Sequence, residues 1–399
     1  MPVAVAPTEL TFGVSSRQAP VGTELEQTLT VASTHKGPRL CTVENLTAAD
    51  MSAKFVLAVE PAGVFVVPPR GRVAVRVRLT LLCTAKLHLA LGVKVWKARA
   101  AHCSALKLVF ATESQLTTRL DPDEVHREHV IGGGAYGVVY SGTYRGMDVA
   151  VKVVKYQDAM LPYMVDDFER EVAVMEKLRH NAIVSFVGAV HIPGQLQIVT
   201  ELCPYGALLA AIKKYPARFT TALKVKSLLD AATGMDFLHQ SGIIHRDLKP
   251  DNLLMCSLEP RSAIACKLSD FGTTRDINCF ARDIRSTNGV GTPLFMAPEI
   301  LASQPYDKPV DVYSFSLIIY TAFAEELPFE KDRVAATPWG FADAVRAGTR
   351  PAVPRTCPPE VARLMCCCWD SNPARRPTFD AIHKFFRSYF RDCFQDELS

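Results

Sequence analysis

The chain lacks both a long apolar run and a dominant charge. Its 399 residues carry a formal net charge of only +4, which is too small to indicate a nucleic-acid partner. The longest apolar stretch in the later half, around residues 315–324, is far shorter than the roughly 20 residues that a membrane-spanning helix needs. The first residues have neither the basic segment nor the continuous apolar core of a signal peptide. We therefore expect a protein that does not cross a membrane and does not bind nucleic acid.

The cysteines lack the spacing of a zinc site. There are 12 of them, but no CxxC pair is accompanied by a second such pair or by a histidine pair. Cysteine frameworks held by disulfides belong to short secreted chains, and three of these cysteines are adjacent, at residues 366–368, in a segment with a helical pattern. Buried, reduced thiols in a cytoplasmic protein are therefore expected.

Residues 8–110 are predicted to form about seven short β-strands. Apolar residues alternate with small or basic residues over 73–79 and 87–95, which is typical of strands with one face in a core. Further candidate strands are residues 25–31, 54–59 and 106–110. Such spacing predicts an all-β, immunoglobulin-like antiparallel sandwich over residues 1–111.

This N-terminal region is the basic part of the chain. Residues 1–112 hold 13 lysines and arginines against 6 acidic residues, a balance that would suit an acidic protein or lipid headgroups. The alternative is that these are solvated basic strand faces. Since no nucleophile or metal site is visible, we predict a docking or regulatory module whose protein or lipid ligand is unknown, followed by a polar linker over residues 112–124.

A glycine-rich segment follows the linker. It reads Ile131-Gly132-Gly133-Gly134-Ala135-Tyr136-Gly137. The pattern GxGxxG alone would also suit a dinucleotide site, but that fingerprint opens a helix. Here the β-prone residues Val138 and Val139 come next, which predicts a hairpin whose turn folds over phosphate groups.

Lys152 lies in the apolar strand pattern Val149-Ala150-Val151-Lys152. A charge there is costly unless it is paired. Glu171 follows 19 residues later, in a segment where Phe168, Val172 and Met175 recur at helical spacing. We expect Glu171 to face inward, pair with Lys152 and leave the ammonium group directed at phosphates.

The run from His245 to Asn252 contains a complete set of groups for phosphoryl transfer. Asp247 would accept a hydroxyl proton, Lys249 would reach a phosphate, and Asn252 would hold a metal ion. Asp270 follows in the tripeptide Asp-Phe-Gly, after an apolar strand, and is predicted to be the main Mg²⁺ ligand together with Asn252.

These motifs, in this order, resemble the eukaryotic protein kinase family over residues 125–390. The resemblance implies a two-lobed α+β fold, with a small lobe at 125–200 and a large lobe at 204–390, that transfers the γ-phosphate of Mg-ATP to protein substrates. The N-terminal region is similar to the sandwiches of the major sperm protein type that precede kinase domains in some amoeboid protists. The fold class is then multidomain, with an N-terminal all-β sandwich before the kinase fold.

The resemblance also implies roles for further residues. The hinge after the strand at 197–199 would be residues 201–203, whose backbone would hold adenine. The remaining ATP-site residues implied are Ile131, Val139, Ala150, Thr200 as gatekeeper, Glu201, Cys203 and Leu254. The structural residues implied are Arg246, Phe271, Asp311, which would anchor the catalytic-loop backbone, and Glu299, which would pair with Arg376.

The sequence Lys249-Pro250-Asp251 resembles serine/threonine kinases, and Thr292 would bind Lys249 and Asp247. The whole domain is most similar to the tyrosine kinase-like group, so a non-specific serine/threonine protein kinase of intracellular signalling is expected, with dual specificity left open. Arg246 before Asp247 is similar to kinases that are switched on by phosphorylation of the activation segment. Ser286 and Thr287 are the preferred phosphorylation sites, and Thr273 and Thr274 are further candidates.

The two alternative functions are a pseudokinase scaffold and an adaptor. A pseudokinase scaffold would have lost Lys152, Asp247, Asn252 or Asp270, and the chain retains all four. An adaptor acting through the N-terminal sandwich is compatible with catalysis.

Overall fold

The computed structural model describes residues 3–7, 10, 12, 18–47, 52–96, 103–114, 116–133, 137–155, 161–192, 194–271, 275–276, 293–330 and 338–394. The chain divides into two compact units. The first comprises Met1–Tyr156 with Val187–Val199, and the second comprises Gln157–Phe186 with Thr200–Ser399.

The N-terminal part of the first unit is built from strands. They are β1 (Val3–Ala6), β2 (Gln18–Ala19), β3 (Glu24–Ser33), β4 (Arg39–Asn45), β5 (Phe55–Glu60), β6 (Val64–Val67), β7 (Arg72–Leu81), β8 (Lys86–Trp96) and β9 (Cys103–Ser114). They form a four-stranded sheet in the order β1-β3-β7-β5 and a five-stranded sheet in the order β2-β9-β8-β4-β6. Neighbouring strands are antiparallel except for β2 and β9, which pair in parallel.

One hydrophobic core is shared by the two sheets of this N-terminal β-domain. Leu29, Val75 and Val77 from the first sheet and Leu89 and Val93 from the second are fully buried in it. Each of these residues alternates with more exposed neighbours along its strand, except in β8, which is buried along most of its length. This alternation explains why the period of two was visible in the sequence.

The strands are longer than the sequence pattern indicated. The candidate at 106–110 is the centre of β9, which continues to Ser114, past the point where the polar linker was expected to begin. The candidate at 54–59 is shifted by one residue, because Lys54 ends a 3-10 turn instead of beginning β5. Polar residues such as Thr112 and Glu113 extend β9 because they pair with residues 87 and 86 of β8.

A second sheet system follows, almost all of it in the same unit. Its strands are β10 (Val125–Gly133), β11 (Gly137–Tyr144), β12 (Met147–Val154), β13 (Phe186–Val190) and β14 (Gln197–Glu201). The order is β10-β11-β12-β14-β13, so β13 lies at an edge. One face packs on a core that includes Val149, Val151 and Val199.

The segment 116–121 connects the two sheet systems through hydrogen bonds. Arg119 forms a parallel bridge with Ala189 of β13, where Leu120 N donates to Ala189 O at 2.8 Å and Ala189 N donates to Thr118 O at 2.7 Å. On its other side, Arg119 O accepts from Thr84 N at 2.8 Å, and Thr117 N donates to Thr84 Oγ1 at 3.1 Å. Residues 116–121 of the predicted linker therefore form a structured connection with a strand-like bridge to β13.

The second unit is mainly helical. Its helices are α1 (Leu161–Lys177), α2 (Leu208–Lys214), α3 (Thr221–Gln240), α4 (Pro298–Leu301), α5 (Pro309–Ala324), α6 (Pro338–Arg346), α7 (Pro359–Cys368) and α8 (Phe379–Phe394). Short strands accompany them, namely β15 (Ile243–Ile244), β16 (Leu253–Met255), β17 (Cys266–Leu268) and β18 (Arg275–Asp276).

The centre of this unit is α5. Every residue from 310 to 323 of this helix is buried, and Phe315 makes edge-to-face contacts with Phe379 and Phe386 of α8. Among the described residues, no helix combines the length and the apolar character needed to traverse a bilayer.

Candidate active site

The catalytic-loop backbone is held by one buried carboxylate. Asp311, near the start of α5, accepts hydrogen bonds from His245 N through Oδ2 and from Arg246 N through Oδ1, both at 2.9 Å. His239 Nε2, at the end of α3, lies 2.9 Å from Oδ2. Asp311 is fully buried, so three elements of the second unit converge on it.

The electrostatics of Asp311 fit this anchoring position. Burial alone would raise the pKa of its carboxyl, but the hydrogen bond and charge of His239, the charge of His245 and the Arg246 N–H outweigh burial and lower that pKa below its ordinary value. Asp311 is therefore ionised across the ordinary pH range. Arg246 adopts a left-handed backbone conformation with φ of 70°, which costs energy for a residue with a side chain and is held by this bond.

Two side chains of the catalytic loop lie against Asp247, namely those of Lys249 and Asn252. Lys249 Nζ lies 2.7 Å from Asp247 Oδ2. Asn252 Nδ2 donates to the backbone oxygen of Asp247 at 2.7 Å and lies 3.4 Å from Asp247 Oδ2. The side chain of Asp247 is about one-tenth exposed and that of Lys249 about one-fifth, so the carboxylate is partly shielded but reachable.

Asp270 is held close to Asn252 by its preceding residue. Ser269 N donates to Asn252 O at 2.9 Å, and Ser269 Oγ donates to the same oxygen at 3.2 Å. Asp270 itself is exposed and has a left-handed φ of 59°. Phe271 is buried, with its ring centroid 5.6 Å from that of His245.

The expected ion pair between Glu299 and Arg376 is present. Arg376 Nη1 and Nη2 bind Glu299 Oε1 and Oε2 at 2.6 and 2.9 Å, and both residues are buried. Nη1 also donates to Pro309 O at 2.9 Å. The paired geometry fixes α4 to the start of α5.

The expected adenine segment lies beside β16 in the second unit. Tyr205 N donates to Met255 O at 3.2 Å, Met255 N donates to Gly206 O at 2.8 Å, and Ala207 bridges Leu254. Cys203 is buried, while Thr200, Glu201 and Leu254 are partly exposed.

Glu201 is part of a polar contact that the sequence analysis missed. Glu201 Oε1 accepts from Lys267 Nζ at 2.5 Å and from Ser185 N at 2.6 Å. Burial would raise the pKa of Glu201, but these bonds lower it. His239 was missed in the same way, since a histidine in an apolar helix carries no local sign of its partner.

In the first unit, three of the expected ATP-site residues share one sheet face. Val139 lies opposite Lys152 in the β11–β12 register, and Ala150 lies two residues from Lys152, on the same side of β12. The opposite face carries the buried residues Val149 and Val151. The face with Lys152 is therefore the one turned away from the core.

The strands on either side of the glycine-rich segment pair with each other, as a hairpin requires. Gly132 and Gly133 of β10 pair with Val139 and Val138 of β11, and no helix follows. Gly137 is restricted to glycine, because a Cβ there would collide with Val153 O. Ile131 lies in β10 and is exposed.

The pairing of Lys152 with Glu171 stays a prediction. Lys152 lies on β12 of the first unit and Glu171 on α1 of the second. Phe168, Val172 and Met175 are buried, so the expected inward face of this helix is confirmed. The remaining site residues lie outside the described part of the chain: Gly134, Ala135, Tyr136, Thr273, Thr274, Ser286, Thr287 and Thr292.

Residues 125–386 match the family model of protein tyrosine and serine/threonine kinases. The chain is 30% identical over 391 residues to the Dictyostelium discoideum protein named "Probable serine/threonine-protein kinase gdt2", which covers 97% of this chain and 23% of that protein. It is 34% identical over 284 residues to the serine/threonine-protein kinase STY17 of Arabidopsis thaliana, covering 70% of this chain and 47% of that protein.

A further relative is named a dual specificity protein kinase, shkB of Dictyostelium discoideum, at 35% identity over 277 residues, covering 68% of this chain and 41% of that protein. This chain spans less than half the length of each of these curated relatives. The family model nevertheless covers well over half of this chain. This chain therefore belongs to the protein tyrosine and serine/threonine kinase family.

Proposed function

We propose that the protein is a serine/threonine protein kinase of the tyrosine kinase-like group, which transfers the γ-phosphate of Mg-ATP to hydroxyl groups of protein substrates. The observation that carries the proposal is the convergence of Asp247, Lys249 and Asn252 on a loop whose backbone is bound by the buried carboxylate of Asp311. Such a rigid arrangement suits phosphoryl transfer, where positioning and electrostatics supply most of the rate enhancement.

Asp247 is the proposed acceptor of the substrate hydroxyl proton. Its Oδ2 is oriented by Lys249 at 2.7 Å and Asn252 at 3.4 Å, so the carboxylate is fixed in place before a hydroxyl group arrives. Lys249 carries a positive charge beside the same oxygen and would stabilise negative charge on the transferred phosphoryl group.

The residues near Asn252 suit a magnesium ion. Because Asn252 Nδ2 is used by Asp247 O, the amide oxygen is the atom of that side chain left to bind a cation. Asp270 adds an exposed carboxylate one residue from Ser269, which is bonded to Asn252. Oxygen donors of this kind are those that Mg²⁺ prefers. When bound, the ion would neutralise charge on the phosphate oxygens.

ATP is proposed to bind through the residues expected from the sequence. Val139 and Ala150 offer an apolar patch beside Lys152 on one face of the first unit's sheet. In the second unit, the residues proposed to contact the adenine ring are Thr200, Glu201, Cys203 and Leu254.

The first test is phosphate transfer by the full chain. Incubation with Mg-ATP and a basic protein substrate is expected to give phosphoserine and phosphothreonine, whereas Asp247→Asn lowers the rate by roughly 10²–10⁴-fold, the usual contribution of a positioned acid or base. The matched control is Asp343→Asn, since the Asp343 side chain is 78% exposed on α6. Equal rates for the wild type and Asp247→Asn would refute the proposal.

The same assay decides the acceptor class. Substrate digests analysed by mass spectrometry are expected to carry phosphate on serine and threonine, with phosphotyrosine absent or minor. Abundant phosphotyrosine would instead assign dual specificity, the activity for which the relative shkB is named.

Phosphorylation of Ser286 or Thr287 is the proposed switch. Phosphate would add nearly two negative charges, and Arg246 would be its partner. Replacing both residues by alanine is expected to lower the rate of substrate phosphorylation severalfold, and replacing Thr273 and Thr274 serves as the comparison. An unchanged rate in the first double variant would exclude this switch.

The N-terminal β-domain is proposed to be a β-sandwich that docks a protein or lipid ligand. Two sheets enclosing one core support the sandwich. The alignment with gdt2 covers 97% of this chain, so it extends beyond the kinase region into these strands. The cytoplasmic location expected from the scattered cysteines stays a prediction.

A further inference from the structure

Two thiols meet beside the proposed adenine segment. The sulfur atoms of Cys203 and Cys256 lie 3.4 Å apart, although 53 residues separate them in the chain. Cys203 is buried and Cys256 is partly exposed, so an oxidant in solution would reach Cys256 first.

The backbone holds the two cysteines in this position. The segment after Cys203 is bonded to β16 through Tyr205 N with Met255 O and Met255 N with Gly206 O. On its other side, Cys256 N donates to Ala265 O at 2.8 Å. Backbone hydrogen bonds therefore fix the position of both cysteines, and the short distance between the sulfur atoms does not depend on one flexible side chain.

The charged groups around Cys256 favour its thiolate. The hydrogen bond with Cys203 lowers the pKa of Cys256 most, burial opposes it, and the ammonium group of Lys267 lowers it further, against the carboxylates of Glu201 and Asp230. The same hydrogen bond, together with burial, raises the pKa of Cys203. Because Cys256 is also the member of the pair that solvent reaches, whereas Cys203 is buried, Cys256 is assigned as the nucleophile and Cys203 as the resolving thiol.

We propose that Cys203 and Cys256 form a peroxide-sensitive disulfide that changes ATP binding. The Cys256 thiol first loses its proton, and its thiolate sulfur then attacks one oxygen of hydrogen peroxide. The O–O bond breaks and hydroxide leaves, taking up the released proton to become water, which produces a sulfenic acid on Cys256. The sulfur of Cys203 then attacks the sulfenic sulfur, the S–S bond forms, the S–O bond breaks, and a second water leaves. Two thiols are oxidised and one peroxide is reduced.

The consequence for nucleotide binding rests on the proposed function. Closing the sulfur separation from 3.4 Å to the ~2.05 Å of a disulfide requires a shift of about 1.3 Å. Cys203 lies in the proposed adenine segment, and Cys256 follows Leu254 by two residues. Cross-linking them displaces both sides of the adenine contact, so the oxidised protein is expected to bind ATP more weakly.

The first experiment maps the bond without using activity. The reduced full chain is treated with hydrogen peroxide, remaining thiols are alkylated, and the digest is analysed by mass spectrometry. A Cys203–Cys256 linked peptide is expected in the wild type and in the control Cys367→Ser, whose cysteine is exposed on α7, and not in Cys256→Ser. A Cys256–Cys266 link, or sulfinic acid on Cys256 without a link, would overturn the proposal.

The second experiment measures the consequence. The KM for ATP is expected to rise roughly tenfold on oxidation, equivalent to ~1.4 kcal/mol of binding, to recover with dithiothreitol, and to stay constant in Cys256→Ser. Hydrogen exchange of residues 203–207 is expected to slow on oxidation whether or not the protein is active. A mapped disulfide with unchanged exchange and unchanged KM would refute the effect on the adenine segment, whereas a reduced protein without any activity would refute the proposed function alone.

Discussion

At the scale of single residues, the position of Asp311 explains how a loop of polar residues becomes rigid. Its two oxygens accept hydrogen bonds from the backbone N–H groups of His245 and Arg246. The backbone of the loop is therefore held by a buried side chain of α5 and not by the side chains of the loop itself. The catalytic residues then need only short local bonds, such as Lys249 to Asp247.

Replacing Asp311 with asparagine is expected to lower the free energy of unfolding by about 3 kcal/mol, because an amide NH₂ would face a buried N–H donor. Denaturant titration of the full chain measures this loss, with Asp343→Asn as the exposed control. If Asp311→Asn lost no more stability than the Asp343→Asn control, Asp311 would not be the residue that anchors the loop.

The stabilisation that Asp311 provides is expected to depend on pH. The folded-state pKa of Asp311 is lowered from 3.8, so its ionised form stabilises the fold at every pH above that value and the stabilisation is lost as pH falls through the folded pKa. The difference in unfolding free energy between the wild type and Asp311→Asn is therefore expected to shrink as the pH falls below 3.8. A difference that does not shrink below that pH would assign the effect to another group.

At the scale of elements, the edge strand β13 depends on a close approach of the connecting segment. A Cβ on Gly188 would lie 2.5 Å from both Leu120 Cδ2 and Thr118 O, so any side chain there separates the segment 116–121 from the sheet. Gly188→Ala is expected to cost about 1–3 kcal/mol of stability and to speed proteolysis within residues 115–121.

The control for this prediction is Gly37→Ala. An added Cβ on Gly37 would meet nothing closer than 3.6 Å. Equal proteolysis of the two variants would show that the segment does not need the close contact.

Elements with a local signal could be predicted from the sequence, and those formed by distant partners could not. Strand β7 and the inward face of α1 could be predicted because the spacing of their apolar residues, two for the strand and three to four for the helix, is visible in a short stretch of sequence. The parallel pairing of β2 with β9 and the bond of His239 to Asp311 join residues about 70 or more positions apart. No local pattern carries that information, since it depends on how the whole chain folds.

At the scale of the whole molecule, the N-terminal β-domain is joined by a buried ion pair to the segment that precedes the kinase region. Lys54 Nζ lies 2.7 Å from Asp121 Oδ1, and both side chains are about one-tenth exposed. Lys54 also contacts the exposed carboxylate of Asp123. The raised pKa of Lys54 reflects these carboxylates, which outweigh the opposing effect of burial.

A double-mutant cycle of Lys54→Met and Asp121→Asn is expected to give a coupling energy of about 1–3 kcal/mol, because removing one partner leaves the other buried and uncompensated. The comparison is the exposed pair of Arg76 and Glu60, where about 0.5 kcal/mol is expected. Similar coupling for both pairs in thermal unfolding would contradict a special contribution from the buried pair.

The strand-like segment 116–121 also determines where the chain tolerates shortening. A chain that began at residue 125, the first residue of the matched kinase region, would lose Leu120 from the core of the small sheet. It would also uncover the backbone groups of Ala189 at the sheet edge. Unpaired edges of this kind recruit strands from other molecules, so the isolated kinase region is expected to self-associate, whereas a chain that retains residues 116–124 keeps its edge covered.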